Sequence, residues 1–418
     1  MTRRLYYEDA YCKEFEAAVV RCEERPDGTF GVVLDATAFY PEGGGQDGDT
    51  GTMEVIGDAA ADAAPAAAGK SDAAPAGGGR IRVLDTHEKD GDCVHYTDAP
   101  VAVGARVRGR IDWQQRFDRM QNHSGEHIVS GLIHAAFGYD NVGFHMSRDR
   151  MTIDLSGTLT EEEIREIERR ANEVVWDDRE ITATVYPEEE VAALTYRSKK
   201  ELHGRVRIVR IPGADACACC GTHVRRTGEI GSIRLIAHEH FRGGSRIEMA
   251  CGRWAYEYMS AIFGQNHEVS VLLSSKMHET AEAVAHLKEQ ESALSFRMTQ
   301  LTYARIEAAG EALRGRGNIA VFAPDFDPVP VRKLCEAVKE TCGGIALALS
   351  GSDETGYMYT AGVKDGDLRA FGKDLNAALS GRGGGRPYFL QGSVKATRAE
   401  IEAYLASLAE PIPVTELT

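Results

Sequence analysis

Two pairs of metal-type donors constrain this chain more than any other feature. His123-Ser-Gly-Glu-His127 and Cys219-Cys-Gly-Thr-His223 each place two such side chains four residues apart. Residues four apart on a helix share a face, so the two imidazoles of the first pair can meet one ion. A Cys and a His at that spacing across a glycine turn can complete a tetrahedron. Each pair alone has an ordinary explanation, as surface histidines or as a cysteine-rich turn that only packs. Together they require a helix and a distant turn to meet in one place, and imidazole with thiolate is the donor set that suits zinc. The expectation is one Zn2+ per chain held by His123, His127, Cys219 and His223. Cys217 and Cys220 are alternatives for the sulfur ligand, and His145 is a further candidate for the pocket. Four protein ligands close a structural zinc site, whereas catalytic sites keep a position open for water, so the donor count leaves both roles standing.

A chain of 418 residues is long enough for two to four compact units. From Tyr6 to Ile111, short alternating apolar runs broken by glycine and aspartate turns read as a small antiparallel barrel or sandwich. Within it, residues 57–79 hold almost no large apolar side chain, so burial cannot offset their ordering entropy and a disordered insert is expected. An α+β segment follows, with a helix around Asn122 to Phe137, a strand at MTIDL, a helix from Thr160 to Asp177, and strands at ITATVY and VRIVRI. Thr160 and Glu163 form a capping-box signal at that second helix. Between 254 and 315, Met277, Ala281, Val284, Leu287, Leu294, Met298 and Leu301 recur at three-and-four spacing, interrupted by Glu291. The stripe reads equally as a coiled-coil seam joining two copies and as an amphipathic helix lying on a neighbouring domain. Beyond 316, strands and helices alternate, as in an α/β domain. The fold class is therefore multidomain α+β, with boundaries at 1–112 for the barrel, 113–253 for the donor-bearing domain, 254–315 for a long helix or helical linker, and 316–418 for the last domain.

Sixty-four acidic residues against 48 basic ones give a net charge of -16, which argues against nonspecific binding to phosphate backbones. Local clusters such as RVRIVR, Arg225 with Arg226, and FRGGSR leave specific RNA contact open. No apolar run approaches the ~20 residues of a membrane helix, and the first residues lack the apolar stretch of a secretory signal. Nine irregularly spaced cysteines fit reduced thiols better than a disulfide framework. A cytoplasmic location without membrane association is expected.

Four motifs occur in a telling order: Phe39-Tyr-Pro-Glu-Gly-Gly-Gly-Gln46-x-Gly-Asp49-x-Gly51, then HSGEH, then CCGTH, then GRGGGRPYFLQG. In this the chain resembles the second half of alanyl-tRNA synthetase and its free-standing relatives, the AlaX trans-editing proteins, above all their long form. The resemblance implies an N-terminal β-barrel, a zinc-containing editing domain and a C-terminal segment similar to the glycine-rich DHHA1 domain. It implies hydrolysis of the ester joining serine, or glycine, to the terminal ribose of alanine tRNA. By position it carries the zinc ligands to His123, His127, Cys219 and His223, and brings Gln46, Gly44 and Gly45 to the pocket with Thr222 beside the metal. Phe144 and His145 would line the amino-acid pocket, and Gly384, Gly385 and Arg386 would contact tRNA. The chain departs from the synthetase pattern at Cys220, where a second glycine is usual, and in the 57–79 insert. Because no amino-acid-activating domain precedes the barrel, charging of tRNA is not expected.

The chemistry agrees with that implication. An aminoacyl ester is reactive enough that holding it, placing a water and stabilising carbonyl charge suffice, without a serine or cysteine nucleophile. The best rival enzyme reads His123-x-x-Glu126-His127 as an inverted zinc-peptidase signature with Glu126 as general base. That class needs a downstream carboxylate ligand, where this chain offers Cys219 and His223. The other rival is a non-catalytic zinc protein that binds tRNA. GRGGGRP lacks the Lys-Ser/Thr ending of a nucleotide loop, which removes ATP.

Overall fold

The computed structural model describes residues 1–56, 80–147, 150–198 and 204–417; the insert expected at 57–79 lies outside the described residues. The chain divides into two compact units, Met1–Asn266 and His267–Thr418.

In the first unit, the strands Glu14–Glu24, Phe30–Leu34, Asp92–Thr97, Ile81–Lys89, Gly51–Ile56 and Arg106–Ile111 follow one another in that order around a closed barrel. Every pairing is antiparallel. Closure decides between barrel and sandwich, and it leaves no edge to protect. Alternation along the first strand turns Phe15, Ala17 and Val19 inward to join Leu34, Phe39, Met53 and Val107. Beyond the barrel, the helix Trp113–Phe137 is capped by Asp112, which accepts from the Gln115 amide, and stops at left-handed Gly138. It begins well before the Asn122 start read from the sequence. Its first turns set Trp113, Phe117 and Met120 on the core side and also bury the charged Arg116, Asp118 and Arg119 between them. Its later turns supply Ile128, Val129, Leu132 and Ile133 to a core shared with a four-stranded antiparallel sheet. That sheet runs Ile233–Phe241, Gly244–Cys251, Met151–Leu155, Asn141–Met146. The helix Glu161–Trp176 covers the same core, and its capping box joins Thr160 and Glu163 as the sequence indicated. A three-stranded sheet, Thr182–Tyr186, Val206–Ile211 and Asp215–Ala218, ends one residue before Cys219.

In the second unit a six-stranded mixed sheet runs Arg382–Arg386, Phe389–Val394, Gly356–Gly362, Gly343–Ser352, Gly317–Phe322, Val414–Glu416. Helices Pro328–Cys342, Arg369–Ala378 and Arg398–Ser407 bury apolar clusters against it. The 254–315 region is not one long helix: Gly252–Leu272 and Thr280–Ala312 are separate, and Ser274 between them takes a left-handed conformation that breaks the hydrogen-bond ladder. Along Thr280–Ala312 the apolar stripe is exposed, from Val284 at 41% to Met298 at 69%, while Ile306 is buried against the unit's own core. Among the described residues no helix is long and apolar enough to cross a membrane.

Candidate metal centre

The helix Trp113–Phe137 sets His123 and His127 on one face, and the turn leaving Asp215–Ala218 brings Cys219 and His223 against them. One donor atom from each lies within 4.8 Å of the others. The Cys219 sulfur stands 3.5 Å from His123 Nε2 and 3.4 Å from His223 Nε2. The three imidazoles are buried.

Each imidazole is held through its other nitrogen. His123 Nδ1 lies 3.0 Å from Gln46 Oε1, His127 Nδ1 lies 2.9 Å from Asp215 Oδ2, and His223 Nδ1 lies 3.2 Å from Ser124 Oγ. Two of these partners are obligate acceptors, a carboxamide oxygen and a carboxylate, which place the hydrogen on Nδ1 and leave Nε2 as a lone-pair donor toward the centre. Gln46 comes from the barrel. It reaches the site from a tight turn in which Gly43 and Gln46 pair across Gly44 and Gly45, both at positive φ. A side chain on Gly45 would run into Phe144, 2.4 Å away. The Gln46 Nε2 donates to Thr222 Oγ1 at 3.0 Å and its Oε1 also accepts from the Thr222 amide at 3.3 Å. Gly221 explains its own identity, since a Cβ there would sit 2.1 Å from His123 Cε1.

The electrostatics match a cation site. Burial opposes ionisation of Cys219, yet His123, His223 and His127 around it drive the thiol well below its ordinary value. Burial likewise opposes a charge on His127, and the Cys219 thiolate and Asp215 outweigh it, so its pKa stands well above the ordinary one and a metal ion would take the place of the proton on its Nε2. Burial lowers His223 to about 3, which keeps it neutral and able to donate a lone pair. The other two cysteines differ. Burial pushes the Cys217 thiol up, and it groups instead with His127 and Asp215, while Cys220 is exposed.

A cavity of about 360 Å³ opens onto the centre. Gly44, Glu126, Phe144 and Arg207 line it together with His123, His127 and Cys219. The Phe144 ring stacks on His123 with centroids 5.3 Å apart. Glu126, buried beside both histidines, has Oε1 accepting from Ser130 Oγ at 2.6 Å and from Asn141 Nδ2. Gln46 and Thr222 stand behind the donor atoms, buried and outside the cavity lining. His145 is not brought to the cavity: strand alternation turns it the opposite way from Phe144, to an exposed position beside Thr152. Gly384, Gly385 and Arg386 belong to the second unit, on the exposed edge strand Arg382–Arg386, where a groove also holds Arg332, Lys339 and Tyr388.

Sequence reasoning missed Asp215, Arg197 and Ser124. Arg197 grips Asp215 with Nε to Oδ1 at 2.8 Å and a terminal nitrogen to Oδ2 at 3.0 Å. Asp215 precedes Cys219 by the same four-residue spacing that marked the ligand pairs, a signal that was available. Nothing in the sequence marks Arg197.

Comparison with known proteins bears on the same residues. Residues 206–249 match the family model described as the threonyl and alanyl tRNA synthetase second additional domain. The alanyl-tRNA editing protein AlaX-L of Pyrococcus horikoshii is 27% identical over 414 residues, which span 96% of this chain and 96% of that protein. The alanine–tRNA ligase of Pyrococcus abyssi is 30% identical over 417 residues, 94% of this chain but 42% of the ligase. That of Halobacterium salinarum is 33% identical over 393 residues, 87% of this chain and 39% of the ligase. The chain thus spans less than half the length of the ligases it matches.

Proposed function

Because this chain resembles the long-form AlaX type of editing protein along its whole length, we propose that it is a zinc-dependent hydrolase that deacylates alanine tRNA mischarged with serine or glycine. One observation carries the reading: three imidazoles held through Nδ1 and one thiolate converge beside a cavity of about 360 Å³, roomy enough for an aminoacyl group and part of its ribose. The donor set fits zinc. A tetrahedral ion with Zn–N of 2.0–2.1 Å and Zn–S of about 2.3 Å needs sulfur and nitrogen about 3.6 Å apart, and the two separations here are 3.5 and 3.4 Å.

When bound, zinc would supply Lewis-acid polarisation or orientation of the aminoacyl group. The chain's own residues do the rest. Phe144 and the face of His123 give the cavity an apolar wall, and Gly44 brings main chain rather than side chain to its rim, where an amide can approach the ester carbonyl. Arg207 is committed to the carbonyls of Cys219 and Gly221, at 2.8 and 3.0 Å, and so braces the turn that carries the sulfur. For serine, a pocket that hydrogen-bonds the substrate hydroxyl rejects alanine, which lacks it, by a large factor; glycine lacks it too and gains nothing from such a contact. Gln46 and Thr222 act by orienting His123 rather than by touching substrate. In the second unit Arg386 with the glycine edge forms the surface offered to the tRNA backbone, while Arg332 and Lys339 in the same groove are paired with Glu336 and Glu340. The site of action is the cytoplasm, where tRNA is charged.

Two other readings have an observation each. Glu126 facing the cavity beside both histidines favours a peptidase, but the third and fourth donors are Cys219 and His223, not a carboxylate. Four protein donors favour a structural ion in a tRNA-binding protein. Reversible loss of deacylation on chelation, restored by stoichiometric zinc, supports the hydrolase; deacylation that persists in the demetallated protein overturns its zinc dependence.

A further inference from the structure

We propose that Asp215 is a positioning residue for the metal centre, fixing the ring of His127 and enriching its donor nitrogen, and that Arg197 keeps Asp215 in that role. The inference rests on the metal reading above.

The three histidines are held by chemically unequal partners. Gln46 and Ser124 are neutral, whereas Asp215 is a carboxylate, so His127 alone donates to a charged group. A hydrogen bond to an ionised acceptor is about twice as strong as a neutral one, and it makes the far ring nitrogen a better ligand. The Asp215 side chain is 1% exposed, and its two oxygens take three bonds, one from His127 and two from the Arg197 fork. A carboxylate buried this deeply requires such partners.

A purely structural role for the pair is already filled by main chain. Arg197 N donates to Ala216 O at 2.7 Å and Ala218 N donates to Arg197 O at 2.9 Å, so the segment around Arg197 is stitched to the strand Asp215–Ala218 without either side chain. What the side chains add is directed at His127. Arg197 has a second consequence. His127, Asp215 and Cys217 have donor atoms within 4.8 Å of one another, a second group that could take a cation. With both carboxylate oxygens held by the guanidinium fork, Asp215 stays behind His127 instead of turning to compete with it.

The test is zinc affinity by competition with a chromophoric chelator, together with the visible absorption of the cobalt-substituted full chain. Asp215→Asn keeps the shape and one acceptor oxygen but removes the charge. It is expected to weaken zinc binding 10- to 100-fold, the usual range for such outer partners, and to shift the cobalt bands. Arg197→Gln is expected to change the cobalt spectrum as the released carboxylate approaches the ion. Asp118→Asn is the control, because Asp118 is a similarly buried carboxylate on the helix that carries His127, paired with Arg253; it is expected to leave affinity and spectrum as in the wild type. Folded Asp215→Asn with wild-type affinity and spectrum overturns the proposal. Should Asp215→Asn fail to fold, an unchanged cobalt spectrum in Arg197→Gln overturns it. Wild type that binds no zinc would instead overturn the metal reading itself.

Discussion

The buried ion pair of Arg116 and Asp49 joins the barrel to the helix that carries the ligands, and breaking it should be costly in a specific way. Arg116 is 0% exposed; its Nε donates to Asp49 Oδ2 at 2.9 Å, and its terminal nitrogens reach the carbonyls of Ala10 and Ala38 at 2.9 and 2.6 Å. The same Asp49 oxygen takes the Tyr40 amide at 2.7 Å, which anchors the end of the turn that presents Gln46. Asp49→Ala strands a buried guanidinium without its counter-charge, and removal of one partner of such a pair costs about 3–5 kcal/mol. Replacing both, as Asp49→Ala with Arg116→Met, removes the stranded charge, so the double variant should be less destabilised than the sum of the singles by about 1–3 kcal/mol. Urea unfolding followed by tryptophan fluorescence is suited to this, since Trp113, Trp176 and Trp254 are the chain's three tryptophans and all lie in the first unit. A single-variant loss below about 1 kcal/mol, or strict additivity, would refute the reasoning.

Other expectations follow from the same geometry. Glu126→Gln distinguishes the two enzyme readings: loss of a general base costs about 10²–10⁴ in rate, whereas the deacylase should retain activity within about tenfold, as measured by single-turnover release of serine from charged tRNA. His95 sits wholly buried in the barrel between Thr37 Oγ1 at 2.8 Å and Val32 O at 2.9 Å, and burial lowers its pKa from 6.5 to about 4. The unfolded chain therefore takes up this proton below about pH 6.5 while the folded one does not until about pH 4. Stability is lost as pH falls through that window, by about 2 kcal/mol at pH 5. A His95→Gln variant should lack that component of the pH dependence when urea midpoints are compared at pH 7 and 5, and an identical dependence in both proteins would disprove the assignment. Arg386→Ala should weaken tRNA binding and reduce its salt slope by about 1, and an unchanged slope in a salt titration would remove Arg386 from the interface.

What could be read from the sequence divides along physical lines. Strand alternation from Phe15 to Ile111 and the Thr160 capping box are local signals, and both elements stand where the pattern put them. The start of the ligand helix was legible in Trp113, Phe117 and Met120 at helical spacing, whereas the burial of Arg116, Asp118 and Arg119 among them depends on partners that the one-dimensional pattern cannot supply. The glycine run 382–386 carries no strand alternation, yet it forms an edge strand because Phe389–Val394 offers it a partner. At the site, spacing picks out the two donor pairs, and the structure places them together. The acceptors behind them come from the barrel turn, the helix itself and a distant strand, and such convergence has no sequence period. His145 shows the opposite error: the resemblance set both Phe144 and His145 in the pocket, whereas neighbours on a strand face opposite ways.

The central claim is tested most directly by measuring hydrolysis of seryl-, glycyl- and alanyl-tRNA(Ala) by the zinc-loaded full chain, beside the chelated protein and His127→Ala. The account predicts release of serine or glycine far faster than of alanine, abolished by chelation and by the ligand substitution. Absence of hydrolysis of all three esters by folded, zinc-loaded protein would contradict it.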